Sequence, residues 1–227
     1  MRMAYALRWS VLLAVVVAAF LAFSIPPYLT VDPAQSRVPP TFDLHYPLLI
    51  AHVALATVAM VMALVQIGPG VRARWPRVHR RAGRVYVAAV LPAAASGMAI
   101  GAATPFGPLL AVSNVVLASL WLWFTVNGYL AARRRRFAEH RRHLVRSAAL
   151  ALSIITNRIW TPVLFIALRP LQDSVFGGDE ERFISLVAGL GGWLGWTIPL
   201  FAVSWWLRHH PVVSLSSISR PADTQRV

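Results

Sequence analysis

The sequence contains no cysteine and no lysine, and only eight acidic residues. Without cysteine there can be no disulfide and no thiolate metal site. Without lysine, all 22 basic positions are arginine, a side chain that stays charged in proteins. None of the acids falls inside an apolar run, so paired carboxylates for hydrolytic chemistry are missing, as are a phosphate loop, a Gly-x-Ser-x-Gly elbow and a metalloprotease His-Glu motif. Polar surface is also scarce. With 57% hydrophobic and 13% charged residues and a mean hydropathy of +0.59, the chain cannot cover a soluble domain of its size.

What is present is a set of apolar runs of about 20 residues, the length that crosses a ~30 Å hydrocarbon layer. They fall at about 9–25, 46–67, 84–103, 109–131, 147–168 and 183–207. An all-α, polytopic membrane protein follows, a six-helix transmembrane bundle over 1–207 with a disordered tail at 208–227. The first run has a basic start, as a signal peptide would, but its small-x-small site (Ala22-Phe23-Ser24) is poor, which favours an uncleaved helix.

The net charge of +14 is distributed as in cytoplasmic loops and not as in nucleic-acid binders. The basic stretch from Trp75 to Val87 reads as a turn between two runs, and Arg133–Arg146 as a second. Six crossings put both turns and both termini on one side with 18 arginines, against three on the other side, which holds six of the eight acids. The positive-inside rule makes the arginine-rich side, with both termini, cytoplasmic. Arg80, Arg81, Arg84, Arg141 and Arg142 then meet anionic lipid headgroups, and no nucleic-acid partner is implied. His209-His210 ends a helix as solvated residues, and Trp193, Trp196, Trp205 and Trp206 serve as packing and interface anchors.

Polar side chains at depth are the functional pointers, since a charge at mid-bilayer costs about 2.5–3.5 kcal/mol on insertion scales. Counted at 1.5 Å per residue, His52 lies ~9 Å below the outer surface, Asn114 at a similar level and Arg158 ~13 Å down. Three helices thus bring His52, Asn114 and Arg158 to one layer, a candidate pocket for a small anionic or carbonyl-bearing molecule such as a quinone or a lipid headgroup. Arg158 should face the bundle interior, and Pro162 cannot supply the N–H that would bond its carbonyl, so a broken helix is expected there. The bland alternative is an Arg158 that merely stitches the bundle through carbonyls.

Haem b is the cofactor to test. His52 with Met98 could form one axial pair, and His79 with His140 (or His143) a second near the cytoplasmic face. Gly97/Gly101 and Gly191/Gly195 are small-xxx-small steps suited to close helix packing, within one chain or in a homodimer through these glycine-rich helices. Pro92, Pro162 and Pro199 would suit a transporter, although no inverted repeat is visible. A purely structural subunit is the remaining reading.

His52, Gln66-Ile67-Gly68-Pro69, His79-Arg80-Arg81-Ala82-Gly83-Arg84-Val85-Tyr86-Val87, His140-Arg141-Arg142 with Arg146, and Arg158 resemble the predicted-membrane-protein family called domain of unknown function 2306. The likeness spans about His45 to Trp160, and His-Arg-x-x-Gly-Arg-x-Tyr is its most specific part. The family usually carries Trp where this chain has His143. The resemblance implies a multi-pass bacterial inner-membrane protein and supplies no reaction. A fainter likeness to two-haem ascorbate-reducible cytochromes b, in helix number and basic turns, lacks their paired intramembrane histidines.

Overall fold

The computed structural model describes residues 2–68 and 70–210, with side chains from residue 8 onward; within them it is helical, with no strand. The long helices are α1 (Arg2–Ser24), α2 (His45–Ile67), α3 (Pro76–Ala102), α4 (Pro108–Arg133), α5 (Phe137–Leu168) and α6 (Glu180–His209). Helices α2 to α6 are long and apolar enough to cross a bilayer, and α1 contributes a shorter apolar stretch, Arg8–Ser24. The tail expected at 208–227 lies outside the described residues beyond His210.

The basic segments are largely helical, with a turn only at Arg134 and Arg135 in the second. Helix α3 begins at Pro76 and α5 at Phe137, eight and ten residues before the apolar runs. Arginine is a good helix former, and its charge opposes insertion, not helicity. Both helices therefore extend beyond their apolar runs and carry arginines on the added turns. Pro76 supports this start, because a proline at the first helical position loses no bond. The helix expected to break at Pro162 continues through it, as α3 does through Pro92 and α6 through Pro199. Pro199 leaves the Gly195 carbonyl without its usual N–H, and the Thr156 hydroxyl donates to it instead.

Helices α2 and α3 pack along their lengths, as do α5 and α6, and α4 lies against α3, α5 and α6. Helix α1 stands at the edge, meeting α2 and α5 over short stretches. The buried centre is rich in alanine (Ala59, Ala63, Ala89, Ala93, Ala94), with Tyr86, Trp121, Leu150 and Trp196 among them. Small residues let backbones approach, which is the main source of cohesion where lipid is as apolar as the helices.

The glycines serve polar side chains within the protomer. A Cβ on Gly97 would stand 2.8 Å from His52 Cε1, and one on Gly101 2.6 Å from Asn114 Cβ. On α6, Gly191 faces Thr161 and Gly195 faces Asn157. The close approaches at these four glycines are therefore made within one chain.

Side-chain bonds show which connectors share an end. Thr41 Oγ1 donates to the Ala103 carbonyl at 2.7 Å, and Gly107 packs on Ser185. At the opposite end Gln66 Nε2 donates to the His79 carbonyl at 2.7 Å, Arg141 Nη1 to the His210 carbonyl at 3.1 Å, and Arg146 Nε to Ser204 Oγ at 2.9 Å. The arginine-rich segments thus gather at one end of the bundle, as the counting requires.

Candidate functional site

A cavity of about 490 Å³ opens among the helices. On α2 its wall is His45, Leu49, His52, Val53, Ala56, Thr57 and Met60, a three- and four-residue spacing that marks one helix face. His45 to Met60 is ~22 Å at 1.5 Å per residue, so the cavity is long as well as deep. Asn114 and Trp121 of α4, Asn157 and Arg158 of α5, and Gly195 and Trp196 of α6 also line it. Phe20, Leu21 and Ser24 of α1, with Ile25 just after it, line another side. The three residues placed at one layer by depth, His52, Asn114 and Arg158, therefore face one space.

The end near Arg158 is polar and largely unsatisfied. Arg158 forms no hydrogen bond or ion pair with any described residue, and the two ion pairs present, Arg136–Glu139 and Arg182–Asp179, lie elsewhere. It is not sealed inside the bundle as expected: it is an exposed residue at the cavity's margin, next to the solvent- or lipid-facing Ile159. A guanidinium without an internal acceptor is less costly at such a margin than in a closed core. Arg37 also lines the cavity, fixed by an Nη2 bond of 2.8 Å to the Phe23 carbonyl and by stacking 4.1 Å from the Phe23 ring centre. No Asp or Glu lines the space, so these two cations have no counter-charge there.

Two histidines complete this end. His52 Nδ1 lies 2.8 Å from the Ala93 carbonyl. A carbonyl only accepts, so Nδ1 carries the proton, and in the neutral ring Nε2 offers its lone pair. His45 is 1% exposed; its Nδ1 is held by Thr41, 3.2 Å from the backbone N and 2.8 Å from Oγ1. His45 Nε2 and Ser24 Oγ are buried atoms without a partner, and both residues line the cavity. Asn114 makes no hydrogen bond among the described residues, while Asn157 Oδ1 accepts from Thr161 Oγ1 at 2.9 Å.

The other end is apolar and closed. Thr57 Oγ1 bonds the Val53 carbonyl and Ser153 Oγ the Leu150 carbonyl, each at 2.7 Å. Trp196 Nε1 donates to Ser113 Oγ at 3.0 Å. Below Trp121 lies a circuit whose directions are forced by its ends. Trp121 Nε1 donates to Tyr86 Oη at 3.3 Å, and the Thr125 hydroxyl donates to the Trp121 carbonyl at 2.7 Å. Tyr86 Oη and Thr125 Oγ1 each lie 2.6 Å from Ser147 Oγ. With the Thr125 proton already used, Tyr86 donates to Ser147 and Ser147 to Thr125. Every polar atom of this floor is satisfied, which is the condition for burying it.

The haem expectation fares differently. His52 has the ring orientation of a ligand, Nδ1–H on a carbonyl and Nε2 open, but Met98 does not line the cavity. Gly97, which precedes Met98 on α3, abuts the His52 ring. His79 and His140 stand at the arginine-rich end, close enough to interact electrostatically, and neither lines the cavity. His140 Nδ1 is 2.9 Å from the Gly128 carbonyl, and the Nδ1 atoms of His79 and His143 are buried without partners. Among the described residues no three His, Cys, Asp or Glu gather as a metal site would require. Arg80, Arg81, Arg84 and Arg142 are exposed at that end, whereas Arg141 stacks 4.9 Å from the Trp206 ring centre.

Depth counting missed Arg37, Ser24 and His45. Arg37 and Ser24 sit on or beside the first connector, which has no helical depth to count. His45 carried a usable signal, since it is seven residues from His52 and hence on the same face of α2.

A family model described as predicted membrane protein (DUF2306) matches residues 49–206. No curated protein and no solved structure matches the chain.

Proposed function

The chain belongs to the DUF2306 family of predicted membrane proteins, and from that premise we propose that it is a ligand-binding protein of a bacterial inner membrane. The arginine-rich end faces the cytoplasm, and the polar end of the cavity binds a small anionic or carbonyl-bearing molecule in the outer half. One observation carries the reading. Two arginines, Arg158 and Arg37, line a cavity with no carboxylate among its lining residues, together with the His52 ring, the Asn114 amide and His45, whose buried Nε2 has no partner among the described residues.

Polar groups placed only for stability are paired, as the Tyr86–Ser147–Thr125 circuit behind the cavity-lining Trp121 is. Arg158 supplies charge, Asn114 a donor and an acceptor, and His52 Nε2 an acceptor for a hydroxyl or acid proton. The volume falls within the roughly 300–1,000 Å³ usual for small-molecule sites. Neither haem ligation nor transport gains a specific observation in its favour.

The test is thermal stabilisation of purified protein by octyl phosphate and by a short-chain ubiquinone. A ligand of the folded state at 100 times its Kd adds ~2.7 kcal/mol. At least one probe should raise the Tm of the wild type and not that of Arg158→Gln or Asn114→Ala. No shift with either probe, or an equal shift in both variants, would remove the proposal.

A further inference from the structure

Resting on that reading, we infer that the ligand is a membrane lipid with an acidic headgroup, admitted sideways between α1 and α5 with its chain running inward to Trp121. Three observations point there. The first is shape: a free phosphate or carboxylate would fill only the end by Arg158, leaving most of the ~22 Å length empty. The inner wall of Ala56, Met60, Ala94, Ala118, Leu150 and Ala151 suits hydrocarbon and offers no open polar atom. The second is polarity, which changes once along the cavity, from cations without a counter-charge and histidines with one ring nitrogen engaged to alkyl groups and satisfied hydroxyls. That is the profile of an amphiphile lying along the bundle.

The third is access. Helix α1 has only short contacts, with α2 and α5, yet Phe20, Leu21, Ser24 and Ile25 close one side of the cavity. Its other side exposes Val11, Leu12, Val15 and Phe23 to lipid. Arg158, on α5, is exposed and also lines the cavity, so its guanidinium is within reach of an entering anionic group. A water-soluble ligand has no need of a wall so lightly attached on its lipid side. The anionic head settles against Arg158, Arg37 and His45, and the chain follows beneath α1.

The experiment uses the full chain in mild detergent, as wild type, Arg158→Gln and Ala56→Phe, the last obstructing only the apolar end. Native mass spectrometry follows retention of phosphatidylglycerol and phosphatidylcholine, and thermal unfolding follows stabilisation by methyl phosphate, a headgroup without a chain. The wild type should retain one phosphatidylglycerol at least tenfold better than phosphatidylcholine. Both variants should lose that preference tenfold, while methyl phosphate still stabilises Ala56→Phe. Ile154→Phe, on the same wall, replaces Ala56→Phe if the latter does not elute as a helical, monodisperse species.

Equal retention of the two lipids, or undiminished retention in the obstructed variant, overturns the lipid. Stabilisation by methyl phosphate that depends on Arg158 would then leave the anion pocket standing. If neither lipid nor methyl phosphate binds, both readings fall.

Discussion

Replacing Tyr86 by Phe deletes one oxygen from a closed hydrogen-bond circuit while keeping the ring, so the effect isolates the polar network. Tyr86 is 2% exposed, and its Oη takes the Trp121 Nε1 proton and gives its own to Ser147. The variant strands the indole N–H in a dry interior, a desolvation loss of about 1–3 kcal/mol. Ser147 loses an incoming bond but still donates to Thr125, so it adds little. Hydrogen bonds between transmembrane helices average ~0.6 kcal/mol in double-mutant cycles, because the unfolded chain in the membrane also finds partners. A net destabilisation of about 1–2 kcal/mol follows, a roughly five- to thirtyfold fall in the folded-to-unfolded ratio. Unfolding of the purified protein in mixed micelles by SDS titration, read by tryptophan fluorescence, measures it. Combining Tyr86→Phe with Ser147→Ala should cost less than the sum of the two singles. A Tyr86→Phe change below ~0.3 kcal/mol, within the scatter of additive sites, would refute the circuit.

The glycine sockets predict a ranking. Gly195→Ala should cost most, because its Cβ would meet the Asn157 backbone N and Cα at 3.1 and 2.9 Å, which cannot move alone. Gly97→Ala should cost less, about 1–3 kcal/mol for overpacking, by pushing the His52 ring off the Ala93 carbonyl. Gly83→Ala should be mildest, since only the Gln66 amide end lies at 3.2 Å; any other order of Tm values would contradict these contacts. Arg158→Gln should leave Tm unchanged or raise it in ligand-free detergent, because the guanidinium has no protein partner to lose; a fall of several degrees would mark Arg158 as a structural stitch. Because the chain has no cysteine, Ser36→Cys and Arg135→Cys can be labelled singly in intact cells. An impermeant thiol reagent should reach the first and not the second, and the reverse would invert the topology.

Helix number and the gathering of arginine at one end were legible in the sequence. Each depends only on the 1.5 Å rise and on the cost of charge in hydrocarbon. The starts of α3 and α5 were not, because hydropathy marks where a helix enters lipid and not where it begins. The glycines were visible as a cluster, but their use as sockets for His52, Asn114 and Asn157 depends on which helices face each other. The same gap hid the role of α1: nothing in Phe20 to Ile25 distinguishes a cavity wall from a lipid-facing helix. Arg158 was expected to face the bundle interior and is instead exposed, since depth along a helix says nothing of the direction a side chain takes.

The most direct measurement is an experimental density map of the protein in phosphatidylglycerol-containing nanodiscs. The account predicts one elongated feature, its head against Arg158 and Arg37 and its tail reaching Trp121 beneath α1. A cavity collapsed by its own side chains, with the Arg158 guanidinium bonded to protein carbonyls, would contradict it.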